Sequence, residues 1–395
     1  MLAHAVEGYL ARSSWIRRMF ETGIELKRRY GMDAVQDLSL GNPDLAPPAV
    51  VADALRDLAD RAVEPFAFGY MPNAGYPELR AALAEALCAE QGVDLSANHV
   101  LVTCGAAGAI NVVLRAVLNP GDEVLAIAPY FVEYGFYAEN HGGRLVAVPA
   151  RTPDFGLDLA AVEAAISART RCVILNSPNN PTGRVYSAEE LAALGALLAR
   201  AEARLGHPIL IIADEPYRFL TYDGVRVPSV MAAHPHSVVV SSFSKSLGLA
   251  GERLGYAAVN PTMPEADDLM NGMVLANRIL GFVNAPAVGQ RILMKALGHQ
   301  VDTAVYVRRR TAMMRLLDEA GIRYMPPQGA FYFFPEAPGG DDEAFVRILQ
   351  EERILAVPGR GFGMPGYFRL AFCVDEAVIE RARDGMIRAV ARAQG

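Results

Sequence analysis

Of the 37 cationic residues in this chain of 395, only three are lysines: Lys27, Lys245 and Lys295. A primary amine condenses with an aldehyde to form a Schiff base, a reaction closed to arginine, so that chemistry has three candidates. Lys27 sits beside Arg28 and Arg29 in a charged helical pattern, and Lys295 lies on another helical stretch. Lys245 differs. It falls in SSFSKSLGLAGERLGYAAV (241–259), directly after a β-branched apolar run and among small and polar residues. An amine partly withdrawn from water has a lowered pKa and is nucleophilic at neutral pH. The competing reading, a plain loop cation, suits this flanking pattern poorly.

If the aldehyde is pyridoxal phosphate, four more groups are required. A buried carboxylate must keep the ring nitrogen protonated, cationic and hydroxyl or amide donors must hold the phosphate, a donor must meet the phenolic oxygen, and a forked cation must take the substrate carboxylate. Asp214 closes the apolar run ILIIAD, so its carboxylate starts in a dry setting. Ser242 precedes Lys245 by three residues and Arg253 follows it by eight, so both can reach one phosphate. The turn Gly105-Ala106-Ala107 opens a helical pattern and offers amide donors. For a lone Asp a helix cap or salt bridge, and for a small-residue helix start simple packing, are the alternatives.

The elements that would position these groups are legible. Seven short apolar runs, 99–104, 123–128, 144–149, 172–176, 209–214, 238–242 and 254–259, alternate with helical segments. They are continuous rather than alternating, as in strands buried on both faces. SAEE offers a helix start with Ser187 as N-cap and Glu190 at N3. The fold class is therefore α/β, a mostly parallel sheet sandwiched by helices, with ligands expected beyond the carboxyl ends of its strands. That rim carries Thr103 to Gly105, Pro129 to Phe131, Asn176 to Pro178, Asp214 to Pro216, and Ser241 with Ser242. A long helical stretch (286–319), a helix (341–352) and the runs ILAVPG and YFRLAFCV follow as a smaller α+β domain with an antiparallel-leaning sheet. The expected division is 1–48, a helical segment and turn-rich connector packing with the small domain; 49–285, a large domain; and 286–395, the small domain.

Composition excludes several classes. With 52% hydrophobic and 21% charged residues the chain has ample core and is not disordered. A net charge of −7 argues against nucleic-acid binding. Cys88, Cys104, Cys172 and Cys373 form no CxxC and read as free thiols. The N-terminus lacks a signal-peptide pattern and no stretch approaches the roughly 20 apolar residues of a spanning helix, so a cytoplasmic protein is expected.

The motifs GNPD (41–44), YMPNAGYPELR (70–80), NSPNNPTG (176–183), ADEPY (213–217), SFSKSLGLAGERLGY (242–256) and FRLAF (368–372) resemble, in this order and spacing, the fold-type I pyridoxal-phosphate enzymes of the aspartate aminotransferase class. The resemblance runs almost end to end. It implies a large domain with a mostly parallel central sheet, a smaller α+β domain, and ping-pong amino transfer from an L-amino acid to a 2-oxo acid. Lys245 would be the Schiff-base lysine and proton shuttle, and Asp214 would pair with the pyridinium nitrogen. Asn180 and Tyr217 would bond the phenolic oxygen. Ser242, Arg253 and the amides of Gly105, Ala106 and Ala107 would hold the phosphate. Phe131 stands where many members stack Trp on the cofactor. Arg369 would fork the substrate α-carboxylate beside Gly41 and Asn180. Tyr70 would reach the phosphate of a neighbouring subunit, implying a homodimer.

Side-chain specificity is less defined. Arg278 in ANRILGFVNAP stands about one residue out of register from an Arg that reads a distal carboxylate in dicarboxylate-specific relatives; a helix-end interface Arg is the other reading. Arg12, Arg17 and Arg18 are substitutes, and Trp15 either lines a lid or packs. GFGMPG (361–366) satisfies GxGxxG, but an expected strand follows it where a dinucleotide site requires a helix. His234-Pro235-His236 has no third ligand nearby in sequence and reads as a solvated loop, so no metal is expected. Arg308-Arg309-Arg310 reads as a charged helix face. A C–S β-lyase on the same scaffold and a non-catalytic ligand-sensing domain are the alternative functions; about 40 residues ahead of GNPD are too few for a DNA-binding domain.

Overall fold

The computed structural model describes residues 1–11 and 15–394. Its strands, in chain order, are β1 (Gln36–Asp37), β2 (Val100–Thr103), β3 (Glu123–Ala128), β4 (Arg144–Pro149), β5 (Thr170–Asn176), β6 (Leu210–Asp214), β7 (Ser237–Ser242), β8 (Gly255–Val259), β9 (Tyr332–Phe333), β10 (Ile354–Leu355), β11 (Val357–Pro358) and β12 (Phe368–Ala371). All seven apolar runs become the strands of one sheet, ordered β2-β8-β7-β6-β5-β3-β4. Six neighbouring pairings set its geometry: the four among β7, β6, β5, β3 and β4 are parallel, whereas β8 is antiparallel to both β2 and β7.

Continuity of the apolar runs has a direct cause. Alternate residues of each strand point to opposite faces, and both faces are covered in all but the edge strand β4, where only Val148 is buried. Val100 and Val102, Ile211, and Val239 enter one core, while Leu101, Leu210 and Ile212, and Val238 and Val240 enter the other. The helices Gly105–Val117 and Ala188–Leu205 are among those that close these faces. The second begins with the expected box: Ser187 Oγ accepts from Glu190 N, and Glu190 Oε2 from Ser187 N at 2.8 Å.

A smaller antiparallel sheet, β11-β12-β9, is accompanied by helices Thr303–Glu319, Asp342–Glu351 and Glu376–Gln394. The chain start is tied to it: β1, inside the segment expected to be a connector, pairs in parallel with β10. Helices span His4–Ala11 and Trp15–Tyr30. Arg12 lies outside the described residues, as do the side chains of Trp15, Arg17 and Arg18. The four cysteines are free, and among the described residues no helix is long and apolar enough to cross a membrane.

Three local expectations are corrected. The stretch 286–319 is two helices, Ala287–Ala296 and Thr303–Glu319, because Gly298 takes a left-handed φ of +80° and Asp302 caps the second helix through Ala304 N. The arginine run is not uniformly a charged face. Arg308 and Arg310 pair with Glu376 and Asp223, but Arg309 turns inward, 4% exposed, and forks Asp44 at 2.6 and 2.8 Å. Finally, His234-Pro235-His236 is not a solvated loop, since His234 is only 1% exposed and Glu202 lies beside both imidazoles.

The Arg309 fork holds the loop that carries Gly41. Arg309→Met is expected to lower unfolding free energy by about 2 kcal/mol, whereas Arg308→Met stays within about 0.5 kcal/mol. Urea denaturation of both variants checks this; equal losses would show that inward orientation does not matter.

Candidate active site

Lys245 lies in a single helical turn, Phe243–Ser246, that begins where β7 ends. The connection returns through Arg253, held at φ +53°, into the antiparallel β8. The other two amines are committed to acids: Lys27 to Asp37 at 2.7 Å, and Lys295 to Asp57. Lys245 Nζ instead donates to the carbonyl of Gly41 at 2.7 Å. Burial, aided by the positive charges of Arg369 and Arg253 against the opposing Cys373, pushes its pKa below the ordinary lysine value.

The amine opens into a cavity of about 310 Å³ at the carboxyl ends of the central strands. Gly41, Ala106, Ala107, Phe131, Asn180, Asp214, Tyr217, Ser242, Lys245, Arg253 and Arg369 all border it. Four of the five strand ends inferred from sequence contribute to it, through Phe131, Asn176, Asp214 with Pro216, and Ser242, in line with the topology rule.

Opposite the amine, Asp214 ends β6 and is fully desolvated. Burial raises its pKa from 3.8 to about 6, and the hydrogen bond from Tyr134 Oη at 2.5 Å works against that rise. Asp214 Oδ2 receives this bond, whereas Oδ1 has no partner. A buried carboxylate oxygen without a donor is costly, and a cationic N–H placed opposite it is the natural relief. Asn176 fixes the turn beyond: its Nδ2 donates to the Asp214 carbonyl at 2.8 Å and its Oδ1 accepts from Asn180 N at 2.6 Å.

Beside Arg253, Gly105 starts its helix with φ +74°, and a Cβ there would come within 2.9 Å of Arg253 Nη2. The left-handed φ favours glycine here, and any side chain would also displace the guanidinium. Ser242 lies at the same wall.

At the other end, Arg369 of β12 is 2% exposed and sits over the rings of Tyr332 and Phe362, 4.8 and 4.9 Å from their centroids. Its Nη1 donates to Asn180 Oδ1 at 3.1 Å and its Nη2 to the Ser39 carbonyl, while Nε has no partner. Tyr332 also shares a 2.9 Å hydroxyl contact with Tyr217. A Cβ at Gly41 would collide with the Tyr332 hydroxyl, so the residue must be glycine for its carbonyl to reach Lys245.

The sequence profile of the family described as aminotransferase class I and II matches residues 33–385. The chain belongs to the class I and II aminotransferases. A probable aspartate/prephenate aminotransferase of Aquifex aeolicus is 32% identical over 374 residues, 91% of each chain. The aspartate/prephenate aminotransferase of Thermus thermophilus is 32% identical over 380 residues, 93% of each. Among solved structures, an aminotransferase from Eubacterium rectale superposes with a TM-score of 0.96 at 37% identity, covering 100% of both chains. Members of this family generally use pyridoxal phosphate and act on small amino and oxo acids.

In this aminotransferase, three of the residues expected at the site, Gly105, Tyr70 and Arg278, do not border its own cavity, Gly105 lying just behind Ala106 at the helix start. Tyr70 is 97% exposed, and Arg278, in the last turn of helix Ala266–Ile279, is also exposed. Sequence reasoning missed Tyr134, Tyr332 and Ser244. Ser244 adjoins Lys245 and could have been included; Tyr134 stands three residues past Phe131 near the same rim; Tyr332 is hidden in the apolar run FYFF.

The orphaned Asp214 oxygen gives a pH-dependent consequence. Its folded pKa of about 6 exceeds the ordinary 3.8, so the cofactor-free fold binds an extra proton between these values. The penalty is present in full above about pH 6 and absent below about pH 4. Asp214→Asn is therefore expected to stabilise the cofactor-free aminotransferase by up to about 3 kcal/mol at pH 8, with the gain gone at pH 4. Denaturant midpoints at the two pH values check it; an equal gain at both would mean that ionisation is not the cause.

Proposed function

We propose that this aminotransferase binds pyridoxal 5′-phosphate in the Lys245 cavity and moves an amino group from an L-amino acid to a 2-oxo acid such as 2-oxoglutarate. The observation that carries this is the pairing, across one cavity, of a desolvated amine with a buried carboxylate oxygen that lacks a donor. The residues fit the cofactor. Lys245 would hold its aldehyde carbon, Asp214 its ring nitrogen through Oδ1, Asn180 and Tyr217 its phenolic oxygen, and Phe131 its ring face. Ser242, Arg253 and the amides of Gly105, Ala106 and Ala107 would hold its phosphate. When bound, the group supplies an electron sink for negative charge at the substrate Cα.

The chain's own residues do the rest. Arg369 orients the α-carboxylate, with Tyr332 and Phe362 excluding water from its guanidinium. Lys245 Nζ, whose pKa burial lowers so that it sheds its proton more readily, moves the proton at Cα. Tyr134 keeps the Asp214 carboxylate aimed and ionised. Donor and acceptor occupy the site in turn, giving ping-pong kinetics.

We further infer a cytoplasmic homodimer. Val63, Phe66 and Tyr70 are each at least 90% exposed, and Leu275 and Ile279 flank Arg278. A second copy covering this face would bring Tyr70, and with it Arg278, toward the neighbouring cavity. The domain division at 49–285 and 286–395, with 1–48 packing on the latter, is part of this proposal. The names of the relatives favour aspartate among the candidate donors aspartate, alanine, glutamate and aromatic amino acids.

A panel of amino acids with 2-oxoglutarate, read by product formation and by the yellow absorbance of the purified protein, tests the assignment. Lys245→Ala is expected to lose the chromophore and at least about 10³-fold in kcat; no chromophore in either protein would overturn the cofactor reading. Pyruvate and ammonia released without an oxo-acid acceptor would replace transfer by β-elimination. Arg369→Lys is expected to raise KM for every donor about 10- to 100-fold, while Arg278→Ala raises it for aspartate and glutamate alone. A uniform effect of Arg278→Ala would remove that residue from substrate recognition.

A further inference from the structure

At the end of the central sheet away from Lys245, three side chains converge. Glu202 lies in the last turn of helix Ala188–Leu205, His234 closes the short helix Val230–Ala233, and His236 immediately precedes β7. Glu202 Oε1 lies 3.2 Å from His234 Nε2 and 2.9 Å from His236 Nδ1, and the three atoms all fall within 4.8 Å of one another. Two ligands each about 2.1 Å from one tetrahedral ion are about 3.4 Å apart. The observed separations are those of coordination edges after small adjustment.

His234 Nε2 also lies 3.3 Å from the Ile209 carbonyl, a contact the ion would replace, while other features around the cluster favour a metal. The outer nitrogen of His236, Nε2, faces Glu265 Oε2 at 3.7 Å, the arrangement by which a carboxylate orients a metal-bound imidazole. Glu202 Oε1 also accepts from Ile209 N at 2.8 Å. The loop is rigidly held: Asn260 Nδ2 donates to the carbonyls of Met231 and His234 and to Ser237 Oγ, and Ser237 Oγ donates to the His234 carbonyl. A cavity of about 430 Å³ bordered by His236 and Glu265 gives water access; Arg171 in its wall faces Asp122 at 3.5 Å.

We propose that Glu202, His234 and His236 bind one divalent transition-metal ion of the zinc class, with water completing the shell. Two imidazoles and a carboxylate select zinc over magnesium or calcium, which prefer all-oxygen sets. The ion braces the end of helix Ala188–Leu205 against the entry to β7. It takes no part in amino transfer, because β7 carries its functional residues at the opposite end.

The test uses chelator-treated, cofactor-loaded protein titrated calorimetrically with Zn²⁺, alongside the visible spectrum of the Co²⁺ form. One equivalent is expected to bind, with a rise in melting temperature, no comparable effect of Mg²⁺, and intense low-coordinate cobalt bands. His236→Asn, checked for folding by circular dichroism, is expected to weaken zinc more than about 100-fold, and Glu265→Gln about 10-fold, both with turnover unchanged. Zinc affinity equal in the native protein and His236→Asn places any binding elsewhere and overturns the proposal. So does a pale six-coordinate cobalt spectrum of the unmutated protein, which needs no variant, or absence of saturable binding.

Discussion

A carboxylate at the end of a strand buried on both faces cannot reach bulk water, and Asp214 is held in that position by the sheet itself. One oxygen is satisfied by Tyr134 and the other is not. Much of the surrounding structure is arranged around this imbalance. Asn176 fixes the backbone of Asp214, β7 runs alongside to place Lys245 across the cavity, and the helix starting at Gly105 brings amide donors to its far side. Such a charge is tolerated only where something cationic is meant to meet it, so the destabilising feature of the ligand-free fold and the functional feature are one group.

Lys245 illustrates a complementary constraint. Its amine is kept from an acidic partner and given a neutral carbonyl instead. An ion pair of the kind made by Lys27 would hold the proton on the amine. The requirement then passes to Gly41, which must lack a side chain, and to the Asp44 and Arg309 fork that holds the same loop.

The parts of the fold set by local physics were legible from sequence. Six strands could be read because burial on both faces leaves continuous apolar runs, the edge strand β4 kept such a run with little burial, and Ser187 with Glu190 announced a helix start. That Lys245, Asp214, Asn180 and Arg369 border one cavity was legible because each sits in a compact motif in a strand or close beyond its end. What escaped were positions decided by tertiary packing. Tyr332 looks like any aromatic in FYFF until β9 places its hydroxyl beside Tyr217. Arg309 looks like its neighbours until the helix phase turns it inward. His234 and His236 looked unsupported because Glu202 is more than thirty positions away, in a helix that only the fold brings alongside. Tyr70 and Arg278 lie on the outside of a single chain, where no reading of one copy can complete their surroundings.

Arg369 belongs to the antiparallel sheet, whereas Asp214, Ser242 and Lys245 belong to the central one. Under the proposed function, a substrate bound through its carboxylate and its amino group would be a tether between two separately built layers. Its length would measure the gap between them, so small rigid-body displacement of one sheet would retune which molecules fit while leaving the groups of the central sheet untouched. Selectivity in this architecture can drift by hinge geometry, without any change to the side chains that touch the reacting atoms.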